Sequence, residues 1–242
     1  MKIISKIKLD NSFYLFLILI ILTGMFKEFS FVIVLLIFHE LGHAITGKLL
    51  KWNLVSITFY PYGGVTLFEK LENSSIKEEL IILLMGPIIQ IITYLILIYF
   101  FKYSYIKNYH MSILIFNMLP ILPLDGGKLL NLILNKKFNY LNSFYISFII
   151  SFITIFLLIL FCIFYYHNLN LFLMSIFLIF KIINSLKNIK YNYNKFLLER
   201  YLYNFNFRKY KVSKDIYSFY KESNHYIEFQ TEKKYLKKYF QS

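Results

Sequence analysis

From Phe144 to Tyr166 the chain carries no charged residue, and a run of that kind cannot form the surface of a soluble domain. A transmembrane helix needs about 20 mostly apolar residues, and about 17 can serve. Inside hydrocarbon every backbone N–H and C=O must be satisfied within the element itself, so the run reads as a membrane-spanning helix. Five more segments read the same way: Phe13 to Phe26, Phe29 to Leu50, Leu80 to Phe101, Met111 to Leu134 and Leu169 to Ile183. The expected fold class is therefore an all-α polytopic membrane protein with about six transmembrane helices. Composition agrees. The chain is 58% hydrophobic and 17% charged, where soluble domains run at about 45–50% and about 25%. Disorder is excluded, because it requires low hydrophobicity.

The first segment follows Lys2, Lys6 and Lys8, as a signal peptide would. No small-residue cleavage site follows it, and Lys27 and Glu28 lead at once into the next span, so it reads as a retained helix. The formal net charge is +14, yet only Arg200 and Arg208 are arginines. Arg is the usual reader of base edges, so the excess Lys reads as bordering membrane spans and no nucleic-acid partner is expected. Six spans put both termini on one side. That side also collects the Lys51–Lys77 connection, Lys136 and Lys137, against Lys27, Lys102 and Lys107 opposite, so it is expected to be cytoplasmic. Cys162 is the single cysteine, which excludes an intramolecular disulfide and a thiolate metal cluster.

Two connections stand out. ITFYPYGGVTLF, from Ile57 to Phe68, is β-branched and aromatic on both sides of Gly63-Gly64 and reads as a small membrane-associated β-hairpin. After Ile183 the apolar spans stop. Residues 187–242 are expected to form a short cytoplasmic α/β piece, separate from a membrane-embedded domain over 1–186.

The chemistry sits in two motifs. His39-Glu40-Leu41-Gly42-His43 lies within the second span. On a helix, positions i and i+4 are about 40° apart around the axis, so both imidazoles reach one ion. Glu40 points about 100° away from His39, which suits a carboxylate that acts on water instead of on the metal. In a chain with this composition such a pattern arises by chance only about 0.004 times. Charged groups in a span also cost several kcal/mol unless paired or hydrated. Two histidines leave a catalytic zinc short of one protein ligand. Asp125 can supply it: Asp10 and Asp215 lie outside the spans, whereas Asp125 is within one. Pro120, Pro123, Gly126 and Gly127 break that span, and non-helical backbone at membrane depth is tolerated only beside protein or a wet cavity. A polytopic metal transporter would also place His and Asp in spans, but it calls for a pathway of such groups, and here there is one compact set. His110 and His167, near span ends, read as interfacial residues, and His225 as an ordinary tail residue.

HELGH followed by NMLPILPLDGG, with the Gly63-Gly64 hairpin between them, resembles the site-2 protease family of intramembrane zinc metalloproteases, over roughly residues 1–190. Within that family the sporulation stage IV factor B type is the most similar. The resemblance implies one zinc ion (Zn2+) held by His39, His43 and Asp125, with Glu40 as the catalytic carboxylate. Asn117 would contact substrate or position groups near the zinc, and Pro120, Pro123, Gly63 and Gly64 are the other candidate substrate-binding residues. Met85-Gly86-Pro87 with Gln90 resembles a further membrane motif of the family, and the role of Gln90 stays open. The implied substrate is a membrane-associated protein cut near or within the bilayer. In the sporulation type it is the sigma-K precursor, released from its pro-form; an anti-sigma factor or a signal-peptide remnant is the alternative. Inhibitory membrane partner proteins are implied too, as is a multi-pass location in the bacterial cell membrane, including the membrane around the forespore. Sporulation-type members carry a nucleotide-sensing CBS domain at the C-terminus. A tail of about 56 residues is too short for a pair of such motifs. A reduced CBS-like module and a basic surface-binding helix and strand remain as alternatives.

Overall fold

A computed structural model describes residues 3–24, 26–60, 63–166, 169–227 and 230–241. Residues 61–62 of the expected hairpin, His167 and residues 228–229 of the tail lie outside the described residues. In chain order the elements are β1 (Ile7–Leu9), α1 (Asn11–Thr23), α2 (Phe26–Leu49), β2 (Asn53–Tyr60), β3 (Gly63–Glu69), α3 (Ile76–Phe101), α4 (Ser104–Met118), α5 (Asp125–Asn135), α6 (Tyr140–Phe161), α7 (Leu169–Lys187), α8 (Ile189–Leu202), β4 (Lys209–Val212), β5 (Ser223–Ile227), β6 (Gln230–Thr231) and α9 (Glu232–Gln241). Among the described residues three helices are long and apolar enough to cross a bilayer: Phe26–Leu49, Ile76–Phe101 and Tyr140–Phe164. The segment expected to be a broken span is two shorter helices, α4 and α5, separated by the proline-bearing stretch 119–124. Contacts divide the chain into two units, one of residues 1–70 and 77–117, the other of 71–76 and 118–242.

In the first unit a three-stranded sheet of order β1-β2-β3 lies on α1 and α2. β1 pairs parallel to β2, and β2 pairs antiparallel to β3. The parallel partner is not legible beforehand, because Ile7-Lys8-Leu9 is too short to carry an alternation. Phe13, Ala44, Leu54, Ile57 and Phe59 form the buried cluster between sheet and helices. Asp10 starts α1 by accepting from the Ser12 N–H at 3.0 Å, and Gly24, at φ +71°, ends it in the left-handed conformation that glycine adopts without strain. Burial along α2 is uneven. Its buried residues run from Leu35 to Gly47 and include His39, Glu40 and His43.

In the second unit α5 and α6 pack closely. Ser143, Ser147 and Ser151 recur every four residues on α6 and are fully buried. Ser147 Oγ accepts from Asn131 Nδ2 at 3.2 Å, and Ser151 Oγ accepts from the Leu122 N–H at 2.9 Å. Small hydroxyl residues of this kind let helices in a membrane approach and hydrogen-bond. The tail carries its own sheet, with β4 parallel to β5 and β5 antiparallel to β6. Its core joins Tyr193, Phe196, Leu197, Ile216, Phe219, Ile227 and Leu236 to Tyr140, the first residue of α6. Each fully buried side chain of this size contributes about 1.5–3 kcal/mol. Residues 71–76 thread into the same unit. Asn73 donates to the Glu199 carboxylate at 3.0 Å and accepts from Arg200 Nε at 2.7 Å, and the Ile76 N–H donates to Glu222 at 2.8 Å.

His225 differs from its reading as an ordinary tail residue. It is 1% exposed. Its Nδ1 lies 3.1 Å from Glu232, and its Nε2 accepts from the Tyr220 N–H at 2.9 Å. Arg200 grips the same carboxylate through both oxygens, at 2.9 and 3.1 Å. Burial holds the His225 imidazole below its usual pKa, and the Arg200 charge adds to that, against the opposing bond to Glu232. For Glu232 burial alone would raise the carboxyl, but the bond from His225 and the Arg200 charge outweigh it and leave it lowered.

Candidate metal centre

The site begins with α2. His39, Glu40 and His43 are 1%, 5% and 5% exposed, on the half of the helix that faces protein. Gly42, between the histidines, allows α3 to approach: a Cβ there would stand 2.5 Å from the Met85 carbonyl oxygen. Gly86 does the same for His43, since a Cβ at 86 would stand 2.3 Å from that imidazole. The two glycines thus let helix backbone and ring share one space, and any larger residue would force them apart.

With α3 this close, each imidazole gains a partner for Nδ1. His39 Nδ1 lies 2.9 Å from Gln90 Oε1, and His43 Nδ1 lies 2.8 Å from the Ile82 carbonyl oxygen. A carbonyl oxygen only accepts. Both Nδ1 atoms therefore carry hydrogen, and both Nε2 atoms present lone pairs. Those two Nε2 atoms are 3.2 Å apart. Two lone pairs turned on each other in a buried place repel, and a cation coordinated by both removes the repulsion. The donor set is the neutral imidazole pair that zinc takes, so these residues fit the metal.

Glu40 faces the sheet. Its Oε2 accepts from Thr66 Oγ1 of β3 at 2.6 Å. Gly64 of the same strand makes room for it, since a Cβ at 64 would stand 2.2 Å from the Glu40 Cγ. Gly64, expected to touch substrate, thus has a first role in seating the carboxylate. Gly63, at φ +144°, begins β3 in a conformation that side chains rarely adopt. Asn117 is half-buried in the last turn of α4.

Asp125 is the first residue of α5 and is 8% exposed. A carboxylate in the first turn suits the positive end of the helix dipole, and Lys128 Nζ pairs with it at 3.3 Å. Gly126 and Gly127 allow this helix start to lie against the preceding backbone: Cβ atoms there would stand 2.2 Å from the Met118 carbonyl oxygen and 2.4 Å from the Ile121 carbonyl carbon. Pro120 and Pro123 are half-buried in the same stretch.

Residues 28–109 match the model of peptidase family M50. Over that stretch the chain is similar to the site-2 proteases. It is 28% identical to stage IV sporulation protein FB of Bacillus subtilis, over 83% of this chain and 73% of that one. It is 31% identical to a zinc metalloprotease of Methanocaldococcus jannaschii, over 57% of this chain and 45% of that one, so the match spans less than half of the archaeal relative. The solved structure of a site-2 protease from the same archaeon superposes with a TM-score of 0.57 at 29% identity, covering 76% of this chain and 92% of that one. These likenesses support reading the chain as a zinc metalloendopeptidase of the membrane.

Ile82 and Thr66 went unforeseen, whereas Gly86 and Gln90 were singled out as part of a motif whose role at the site was left open. Ile82 and Gly86, four residues apart on α3, serve His43, and Gln90, four further on, serves His39. That spacing of four was the available signal. Thr66 was a second, as a lone hydroxyl in an apolar strand. His110, expected at an interface, is 3% exposed and stacks on Tyr94 at 4.2 Å.

Proposed function

We propose that this protease cuts a membrane-associated protein near or within the bilayer and releases a sporulation sigma factor, of the sigma-K precursor class, from its pro-form. The observation that carries the reading is the pair of buried imidazole Nε2 atoms at 3.2 Å, with Glu40 buried beside them. His39, His43 and Asp125 are the ligands of one zinc ion in this reading. Zinc supplies Lewis-acid polarisation of the peptide carbonyl and makes water acidic enough to attack it. Glu40 takes a proton from the attacking water and returns it to the leaving amine. Thr66 holds that carboxylate in place.

A helical substrate hides its carbonyls and must first unwind. β3 supports a place for the unwound segment, because it is an edge strand of the order β1-β2-β3 and already touches Glu40 through Thr66. Strand addition would hold the substrate extended. In this reading Gly63 and Gly64 line that edge, and Asn117, Pro120 and Pro123 are further substrate contacts. The 28% identity to a stage IV sporulation protein supports the sigma-precursor substrate. An anti-sigma factor or signal-peptide remnant would use the same chemistry.

The topology proposed with this is six crossings, with α4 and α5 as one broken crossing and both termini cytoplasmic. The location is the bacterial cell membrane, including that around the forespore. The partners are an inhibitory membrane protein and residues 187–242, acting as a reduced regulatory module. The test is co-expression of the sigma-K precursor with the Glu40→Gln variant. Cleavage should fall by about 10²–10⁴, the usual contribution of a general acid–base, while zinc stays bound. Cleavage at the wild-type rate would end the reading. A wild-type enzyme that spares the sigma precursor but cuts an anti-sigma factor would move the substrate and leave the chemistry standing.

A further inference from the structure

Gln90 is fully buried on α3, and its amide has three neighbours. Oε1 lies 2.9 Å from His39 Nδ1. Nε2 lies 3.2 Å from the His110 carbonyl oxygen and 3.3 Å from His110 Nδ1. A main-chain carbonyl can only accept, so the amide nitrogen must face His110 and the amide oxygen must face His39. The orientation of the amide is thereby settled by a backbone atom that no substitution removes.

The consequence reaches the metal ligand. Because Oε1 can only accept, the His39 hydrogen must sit on Nδ1, and Nε2 is left as the donor of a lone pair. We infer that Gln90 is a positioning residue: a buried amide clamp, anchored on His110, that fixes the ligating tautomer and ring direction of His39. His110 is itself held by stacking on Tyr94, with ring centroids 4.2 Å apart and planes 7° apart. His43 receives the equivalent hold from the Ile82 backbone on the same helix. Helix α3 therefore aligns both imidazoles, one through a side chain and one through the main chain, and only the first can be removed by mutation. Partners of this kind are worth about 10–100-fold in metal affinity. The inference rests on the zinc reading of His39 and His43.

Gln90→Met keeps the length and volume of the side chain and removes the acceptor. Measured by chelator competition on the full-length, detergent-purified protein, its zinc dissociation constant should rise about 10–100-fold over wild type. The absorption bands of the cobalt-substituted protein should shift, a change that a merely structural role would not produce. Gln90→Glu restores an acceptor and should return the affinity to within a few-fold of wild type. Where Gln90→Met lowers the thermal midpoint of the zinc-free protein by many degrees, Gln90→Glu carries the comparison, and a zinc affinity there as weak as that of Gln90→Met counts against the clamp. Zinc binding by Gln90→Met within twofold of wild type, with an unchanged cobalt spectrum, overturns the inference. Wild-type protein that binds no zinc in the same assay overturns the metal reading itself, so the two failures are distinct.

Discussion

The helix α2 histidines and His225 of the tail are buried to the same degree, from 1% to 5% exposed, yet their ring nitrogens meet different surroundings. Around His225 every ring nitrogen is matched: a carboxylate at Nδ1, a backbone N–H at Nε2, and Arg200 closing the carboxylate from its other side. Around His39 and His43 each Nδ1 meets a carbonyl-type acceptor, and the two Nε2 atoms lie 3.2 Å from each other. Burial alone therefore does not mark a metal site. In the zinc reading a histidine serves as a ligand when its neighbours supply an acceptor that fixes the hydrogen on one ring nitrogen and the other nitrogen faces a second imidazole. Where they supply both a donor and an acceptor, it becomes part of a core.

The comparison can be broken most severely in the tail. Arg200→Met leaves Glu232 buried with half of its compensation gone. Breaking a buried pair in this way costs about 3–5 kcal/mol, so the tail core around Phe196 and Phe219 should unfold at a lower denaturant concentration, read by tyrosine fluorescence or hydrogen exchange in the full chain. An unchanged exchange pattern would mean that the cluster does not hold the module. A smaller effect is expected at the other end. In Gly86→Ala the new methyl meets the His43 ring, and overpacking of this sort costs about 1–3 kcal/mol. Zinc affinity should drop while tail stability stays at the wild-type value.

The mildest effect sharpens the contrast through pH. His225 and Glu232 both titrate below their usual values in the fold, so the folded tail binds fewer protons than the unfolded tail. Their contribution is complete above about pH 6.5, the unfolded histidine value, and declines as pH falls below it and then below about 4.3, the unfolded glutamate value. Thermal unfolding between pH 7.5 and 5 should show tail stability decreasing with acid. The slope should flatten in His225→Gln, and an unaltered slope in that variant would remove His225 from the account.

Much of the site was legible because its residues are costly where they stand. HExxH in a long apolar helix needs a reason, and so does Asp125 in an apolar stretch broken by two prolines and two glycines. The partners that hold the two imidazoles were not legible in the same way. Gln90 and Ile82 matter only because Gly42 and Gly86 let two helices touch, and closeness of helices is a tertiary fact. The fold was read to a similar depth. Long apolar helices announced themselves, whereas β1, three residues pairing parallel to β2, and the burial of His110 and His225 depend on partners distant in sequence.

The most direct test is the zinc content of purified protein, measured by elemental analysis for wild type, His43→Ala and His225→Ala side by side. One zinc per chain is expected in wild type and in His225→Ala, and none in His43→Ala. Zinc that persists in His43→Ala, or that leaves with His225→Ala, would contradict the account.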